Sequence, residues 1–136
     1  MISMDELLKG TKLSDVPKLH QENLKTLLLR INLVRKVFAK PMTVTSGYRS
    51  MADHLRIYKE KGITDTTMIP MASKHLSGCA VDIHDPDMVL YKWCKANEVF
   101  LTQVGLWLEY KQGPWIHFQS KPFGSYKLGG TIWFNP

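Results

Sequence analysis

Apolar residues recur every three or four positions across residues 19–38. This spacing predicts an amphipathic helix whose apolar stripe faces the core. Asp15 and Pro17 are typical of the start of such a helix, and Lys40-Pro41 of its exit. We therefore expect this segment to serve as scaffold.

Five shorter runs have the alternation, or the β-branched and aromatic content, that is typical of strands. They cover residues 41–49, 79–84, 104–110, 115–119 and 132–134. The Lys-Gln-Gly-Pro segment at 111–114 predicts that the third and fourth runs form a hairpin. The last run is expected to close over the sheet.

Two further helices are predicted at 51–61 and 87–97, the second one capped by Asp85-Pro86-Asp87, with a loop at 63–74. Helices thus alternate with strands until the C-terminal part, which is all strand. This order predicts one α+β domain over residues 1–136, with about three helices and a mainly antiparallel sheet.

Composition narrows the class of protein. The chain has 136 residues, 44% hydrophobic and 22% charged, which excludes disorder and leaves room for one core. No apolar run approaches the ~18–20 residues of a membrane helix, and the N-terminus carries acids where a signal peptide is basic. Two cysteines are too few for a disulfide scaffold, so buried thiols are expected.

The net charge of +6 favours an acidic polymer as partner over a neutral one, but the basic residues are scattered and form no run. A solvated basic surface explains the charge more simply. We expect no nucleic-acid partner, no membrane insertion and a monomeric chain.

Two polar residues interrupt strands that are otherwise built for burial. Asp82 and His117 are each flanked by two apolar residues, and His75 precedes the first of these strands. Such groups are costly to bury unless they are paired or bind a metal. Taken singly, each is more commonly a hydrogen-bonded core residue; together, two imidazoles, a carboxylate and a water would complete a tetrahedral zinc site.

The run Ser-Lys-His-Leu-Ser-Gly-Cys-Ala-Val-Asp at 73–82 resembles the S-x-H-x-x-G-x-A-x-D motif of the zinc D-Ala-D-Ala carboxypeptidases and dipeptidases. Relatives of that family include phage endolysins that cut L-Ala-D-Glu bonds, and the hedgehog signalling domain shares their fold. Ser-Gly-Tyr-Arg-Ser at 46–50 and Trp-Ile-His at 115–117 are similar to two further family elements, in the family's order.

The resemblance implies that one Zn²⁺ per chain is bound by His75, Asp82 and His117. It implies that Arg49 binds a substrate carboxylate or polarises the scissile carbonyl, which suits a planar guanidinium; a surface ion pair is the alternative. Ser73 would hydrogen-bond near the site and Gly78 would permit close backbone approach, although both are also ordinary turn residues.

The general base is where the sequence departs from the family, because Pro114 stands three residues before the third ligand, where relatives commonly carry an acid. Glu109 is the nearest candidate. A three-residue loop would pair it with His117, whereas a four-residue loop would pair Leu108 with His117 and send Glu109 to the other face. The reserve candidates are Asp85 and Asp87.

Three other histidines and two tryptophans remain. His84 lies two residues after Asp82 and is interpreted either as a group that contacts substrate or as an exposed strand end. His20 and His54 fall on helices and are predicted at the surface. For Trp107 and Trp115, core packing is favoured over a substrate groove.

These expectations combine into a zinc metallopeptidase that hydrolyses peptidoglycan stem peptides, at either D-Ala-D-Ala or L-Ala-D-Glu. The family suggests a phage or prophage endolysin, or a virion-associated protein, made in the cytoplasm of a bacterial host and acting at the cell wall after release. The alternative is a non-catalytic, zinc-containing phage structural or binding protein of the same fold. The position of Glu109 relative to the ligands distinguishes the two.

Overall fold

A 21-residue helix is the central element of the hydrophobic core. The computed structural model, which describes residues 1–69 and 73–136, shows this helix, α2, at Lys18–Phe38. Its apolar stripe is buried as predicted, and it ends at Phe38, directly before the Lys40-Pro41 signal. Ala39, at φ 62°, closes the helix by donating its backbone N–H to the Arg35 carbonyl.

Five α-helices, two short 3₁₀ helices and five strands are found in the described ranges. The helices are α1 (Met4–Leu8), α2, α3 (Met51–Glu60), α4 (Val89–Ala96) and α5 (Glu98–Val104). The strands are β1 (Val44–Ser46), β2 (Ala80–His84), β3 (Trp107–Glu109), β4 (Trp115–Gln119) and β5 (Trp133–Phe134).

The strands form one sheet in the order β1-β2-β4-β3-β5, antiparallel except where β5 pairs with β3. The α+β class and the mainly antiparallel sheet are confirmed. β5 extends the edge of the sheet rather than closing over it, so that detail of the prediction is wrong. In the part of the chain described, no helix is long and apolar enough to span a bilayer.

The two faces of the sheet differ in chemistry. Val81, Ile83, Ile116 and Phe118 are fully buried with α2 in one hydrophobic cluster. Because side chains alternate along a strand, the residues between them point to the opposite face. That second face carries the polar groups of β2 and β4.

The predicted helix count of about three is too low, since five α-helices are described. Helix α1, which was not predicted, begins with a Ser3–Glu6 capping box that is visible in the sequence. The predicted 87–97 helix stops at Ala96, and α5 follows it immediately and occupies Val104, the expected start of a strand. Gly105, at φ 88°, terminates α5, so the strand begins only at Trp107.

Other boundaries shift by less. The strand predicted at 41–49 is regular only over Val44–Ser46, and the helix predicted at 51–61 ends at Glu60. The loop predicted at 63–74 contains a 3₁₀ turn at Thr66–Met68, and residues 70–72 of it lie outside the described residues. Both cysteines are free and buried, as expected.

Candidate metal centre

The pairing of β2 with β4 brings two of the predicted ligands together. Asp82 and His117 are direct cross-strand partners, and both point to the face opposite α2. His75 arrives from the loop that precedes β2. One ligand atom from each of the three residues lies within 4.8 Å of the others. The structure therefore holds a group of side chains that could bind a metal ion, formed by the residues the sequence predicted.

His75 is oriented by the backbone of the Ser-Gly-Tyr-Arg segment. Its Nδ1 lies 2.8 Å from the Gly47 carbonyl oxygen, which can only accept, so Nδ1 carries the proton and donates. Nε2 is then turned to Asp82, with 3.3 Å to Oδ2. Gly47 is required here because a Cβ at this position would overlap the Leu7 carbonyl at the end of α1.

His117 is oriented by a neighbour two residues further along β4. Its Nε2 donates to Oε1 of Gln119 at 2.9 Å, and the Gln119 amide is fixed because its own Nε2 donates to the Lys121 carbonyl at 2.8 Å. Nδ1 of His117 therefore faces Asp82, 2.9 Å from Oδ1. Gln119 is only 3% exposed, and its part in the site was not predicted.

Both imidazoles thus have an acceptor at each nitrogen. A neutral imidazole carries one N–H, and the outer partners, the Gly47 carbonyl and Gln119, use it on each ring. Two lone pairs then converge on the Asp82 carboxylate, an arrangement that is stable only if positive charge lies between them. Additional protons on the rings or a bound cation would supply this positive charge. Outer partners that fix the ring orientation are typical of metal-ligating histidines.

The separations suit a small tetrahedral ion. Metal–nitrogen bonds of ~2.0 Å at a tetrahedral angle place ligand atoms ~3.3 Å apart. The ring nitrogens of His75 and His117 lie 3.3 and 2.9 Å from the oxygens of Asp82. The chemistry of the donor set and the closeness of its atoms therefore fit a bound metal ion such as Zn²⁺.

Electrostatics favours the charged carboxylate at this point. Burial raises the pKa of Asp82, but hydrogen bonds and charge from His117 and His75 outweigh burial and hold this pKa well below its ordinary range. For His117, burial lowers the pKa, whereas the hydrogen bond to Asp82 and the charge of Glu109 raise it, and the net shift is upward. Asp82 is therefore available as an anionic ligand.

Glu109 lies on the ligand face. Leu108 pairs with Phe118, which sets the register in which Glu109 is opposite His117 rather than on the far side of the sheet. Its Oε1 lies 3.7 Å from Nε2 of His117, and its side chain is 22% exposed. Burial raises the pKa of Glu109, the Asp82 charge raises it further, and His117 and His75 counteract both.

Arg49 is held beside the site by three hydrogen bonds. Its backbone N–H donates to the His75 carbonyl at 3.1 Å, which ties the two segments together. Its guanidinium donates to Nδ1 of His54 and to Oγ of Ser46, both at 3.2 Å. His54 is fully buried rather than at the surface, so the prediction for it is wrong: α3 turns this residue inward.

The two reserve candidates for the base, Asp85 and Asp87, lie in the segment before α4. The Asp85 carboxylate accepts hydrogen bonds from the backbone N–H groups of Leu90 and Tyr91 and from Lys111, whose Nζ also contacts the Asp85 carbonyl. Asp85 therefore caps the start of α4, as the predicted capping segment implied. Asp87 is exposed.

The remaining predicted residues lie at the margins. His84 is an exposed strand end on the ligand face, paired with Trp115. Ser73 and His20 both line a surface cavity beside the His75 loop, where His20 is half-buried. Gly78, at φ 77°, permits the expected close approach, since a Cβ would lie 2.9 Å from the His20 carbonyl oxygen.

The two tryptophans differ. Trp107 is half-buried and packs against the core, in agreement with the favoured interpretation, whereas Trp115 is 36% exposed. Trp115 is exposed because it is the first residue of β4, beside the β3–β4 loop.

Comparison of the chain with protein-family models, with curated proteins and with solved structures finds no match. The zinc peptidase resemblance therefore stays a prediction that rests on the motif residues.

Proposed function

We propose that this protein is a zinc-dependent peptidase that hydrolyses peptidoglycan stem peptides. The observation that carries the proposal is the convergence of His75, Asp82 and His117, with Glu109 on the same face of the sheet. The three converging residues would hold the ion. When bound, Zn²⁺ supplies Lewis acidity towards the scissile carbonyl and lowers the pKa of a coordinated water towards ~7.

Glu109 is the general base in this proposal. Its carboxylate would accept a proton from the attacking water at Oε1 or Oε2 and deliver it to the leaving amine. Two features support the role: the side chain is partly open to solvent, and burial raises its pKa. A raised pKa suits a group that must both take and return a proton near neutral pH.

Arg49 would bind the substrate. Its contacts with His54 and Ser46 use two of the five guanidinium N–H groups and hold its plane steady. The others are suited to a carboxylate or a carbonyl oxygen of the peptide. A fixed guanidinium loses little freedom on binding, which favours orientation of the scissile bond.

The proposed biological setting rests on the resemblance to the zinc D-Ala-D-Ala carboxypeptidases and dipeptidases. A phage or prophage endolysin, or a virion-associated enzyme, would act on the bacterial cell wall, and the net charge of +6 suits an acidic polymer. Peptidoglycan stem peptides are the proposed partners.

One observation favours the non-catalytic alternative. Glu109 lies nearest to Nε2 of His117, which is the outer ring nitrogen, whereas the ligand nitrogen is Nδ1. In the non-catalytic alternative, a carboxylate in that position helps to orient the histidine, as many outer carboxylates do, and takes no part in proton transfer. The chain would then be a zinc-containing binding or structural protein.

The substitution Glu109→Gln distinguishes the peptidase from the non-catalytic alternative. The substitution keeps the size of the side chain and removes its ability to accept a proton. For a general base we expect hydrolysis of synthetic stem peptides to fall ~100- to 10,000-fold, with zinc content unchanged. Glu22→Gln, on the exposed side of α2, is the matched control. Wild-type protein that binds zinc but leaves both D-Ala-D-Ala and L-Ala-D-Glu peptides intact would favour the binding protein.

A further inference from the structure

A series of aromatic rings leads away from the metal centre. The ring of Phe134 meets His117 edge-on, with 6.2 Å between centroids, and Phe123 stacks on Phe134 at 4.8 Å. Tyr126 meets Phe123 at 5.6 Å. These rings, with Tyr110, line a cavity of about 750 Å³, which we call the aromatic groove. Its volume lies within the range of small-molecule sites.

The rings of the aromatic groove are incompletely buried. Phe123, Tyr126 and Phe134 are half-buried, and Tyr110 is 36% exposed. Folding usually buries such large apolar surfaces more completely, and a contiguous exposed set is typical of a ligand site. The rim is polar, with Ser125, Thr131 and Asn135 among the lining residues. The groove therefore offers flat apolar walls surrounded by hydrogen-bonding groups.

We propose that the aromatic groove binds a pyranose ring of the glycan strand, which positions the attached stem peptide at the metal centre; this rests on the proposed function. The stem peptide itself offers methyl groups, carboxylates and an ammonium, none of which presents a broad face of C–H bonds. A pyranose presents a face of C–H bonds that stacks on the negative face of an aromatic ring. Its hydroxyl and acetamido groups match the polar rim.

The position of the groove also distinguishes between the two candidate bonds. Glu109 and Phe134 are cross-strand partners, so the groove begins directly beside the metal centre. An extended chain spans at most ~3.5 Å per residue. The L-Ala-D-Glu bond follows the first residue after the sugar, whereas D-Ala-D-Ala lies about three residues, or ~10 Å, further on. A sugar in the groove therefore favours L-Ala-D-Glu.

The test measures glycan binding without hydrolysis. Tri-N-acetylchitotriose is titrated into the full-length chain by calorimetry, with and without zinc, and maltotriose, which lacks acetamido groups, serves as the control sugar. We expect saturable binding of the first sugar only. Tyr126→Ala should weaken it about tenfold, as expected for the loss of one stacking ring. Leu128→Ala, 99% exposed on the same loop, should leave it unchanged.

Tyr126→Leu guards against misfolding, because it keeps apolar bulk and removes only the flat ring; it should weaken binding like Tyr126→Ala. No saturable binding of tri-N-acetylchitotriose, or equal binding by wild type and Tyr126→Leu, would overturn the inference. So would competition for the groove by a stem peptide that carries no sugar. An inactive chain that still binds the sugar would leave glycan binding by the groove standing and refute the peptidase proposal together with the positioning role.

Discussion

Gln119→Met tests the orientation of the third ligand. Gln119 Oε1 accepts the Nε2 proton of His117 at 2.9 Å, and the site of this contact is buried. Methionine has a similar length and no strong acceptor, so the volume of the side chain is retained and the hydrogen bond is lost. The His117 ring is then free to take the other tautomer, which would place a proton on the ligand nitrogen.

The magnitude follows from two effects. Loss of an outer partner typically costs 10- to 100-fold in metal affinity, equivalent to about 1.4–2.7 kcal/mol. In the metal-free protein, the other tautomer can donate from Nδ1 to Asp82, so the loss of the contact with Gln119 costs only the net value of a hydrogen bond, about 0.5–1.5 kcal/mol of the free energy of unfolding. We expect both losses for Gln119→Met, and a smaller loss of zinc affinity for Gln119→Glu, which keeps an acceptor for Nε2.

The assay is a zinc competition titration with a chromophoric chelator, combined with urea unfolding of the metal-free proteins. Gln112→Met, on the exposed β3–β4 loop, is the matched control and should behave as wild type. Equal zinc affinity of Gln119→Met and wild type would refute the assigned role of Gln119 and, with it, the assignment of Nδ1 as the ligand atom.

Three further changes have defined outcomes. Gly47→Ala should destabilise the fold and weaken zinc binding together, because the added Cβ overlaps a backbone carbonyl and displaces the acceptor of the first ligand; wild-type stability would contradict this. Burial raises the pKa of Asp85, but hydrogen bonds from the start of α4 and from Lys111 outweigh burial and lower this pKa. The charged carboxylate therefore stabilises the fold above pH ~4, and this stabilisation is lost as the pH falls further. The stability difference between wild type and Asp85→Asn should therefore be largest at neutral pH and shrink in acid; a difference independent of pH would be contrary evidence. His54→Phe removes the acceptor for Arg49 and should lower hydrolysis, while His54→Asn restores part of it; equal rates for all three would show that Arg49 needs no such support.

Much of the site was predictable because its signals are local. The apolar stripe of α2 and the two interrupted strands each lie within a short segment, and together they predicted the core helix and the three converging residues. The sequence motif at 73–82 also indicated that His75 precedes the strand that contains Asp82. Polar residues in otherwise apolar strands are informative, since burying a polar group requires a hydrogen-bonding or metal partner.

The missed features depend on tertiary contacts. Whether Glu109 faces His117 depended on a register that the loop sequence left open between two alternatives. The burial of His54 follows from how α3 packs, which its own periodicity does not reveal. Gln119 had a usable signal, a polar residue two positions after His117 on the same face of a buried strand. Two helices were missed because α1 is only five residues long and α5 follows α4 without a loop.

The central claim is that His75, Asp82 and His117 form one metal site. Calorimetric zinc titration of the metal-free protein, confirmed by elemental analysis after gel filtration, measures this directly. We predict one Zn²⁺ per chain, loss of binding in His117→Ala, and unchanged binding in His84→Ala, the exposed histidine on the same face of the sheet. Wild-type stoichiometry and affinity in His117→Ala, or their loss in His84→Ala, would contradict the account.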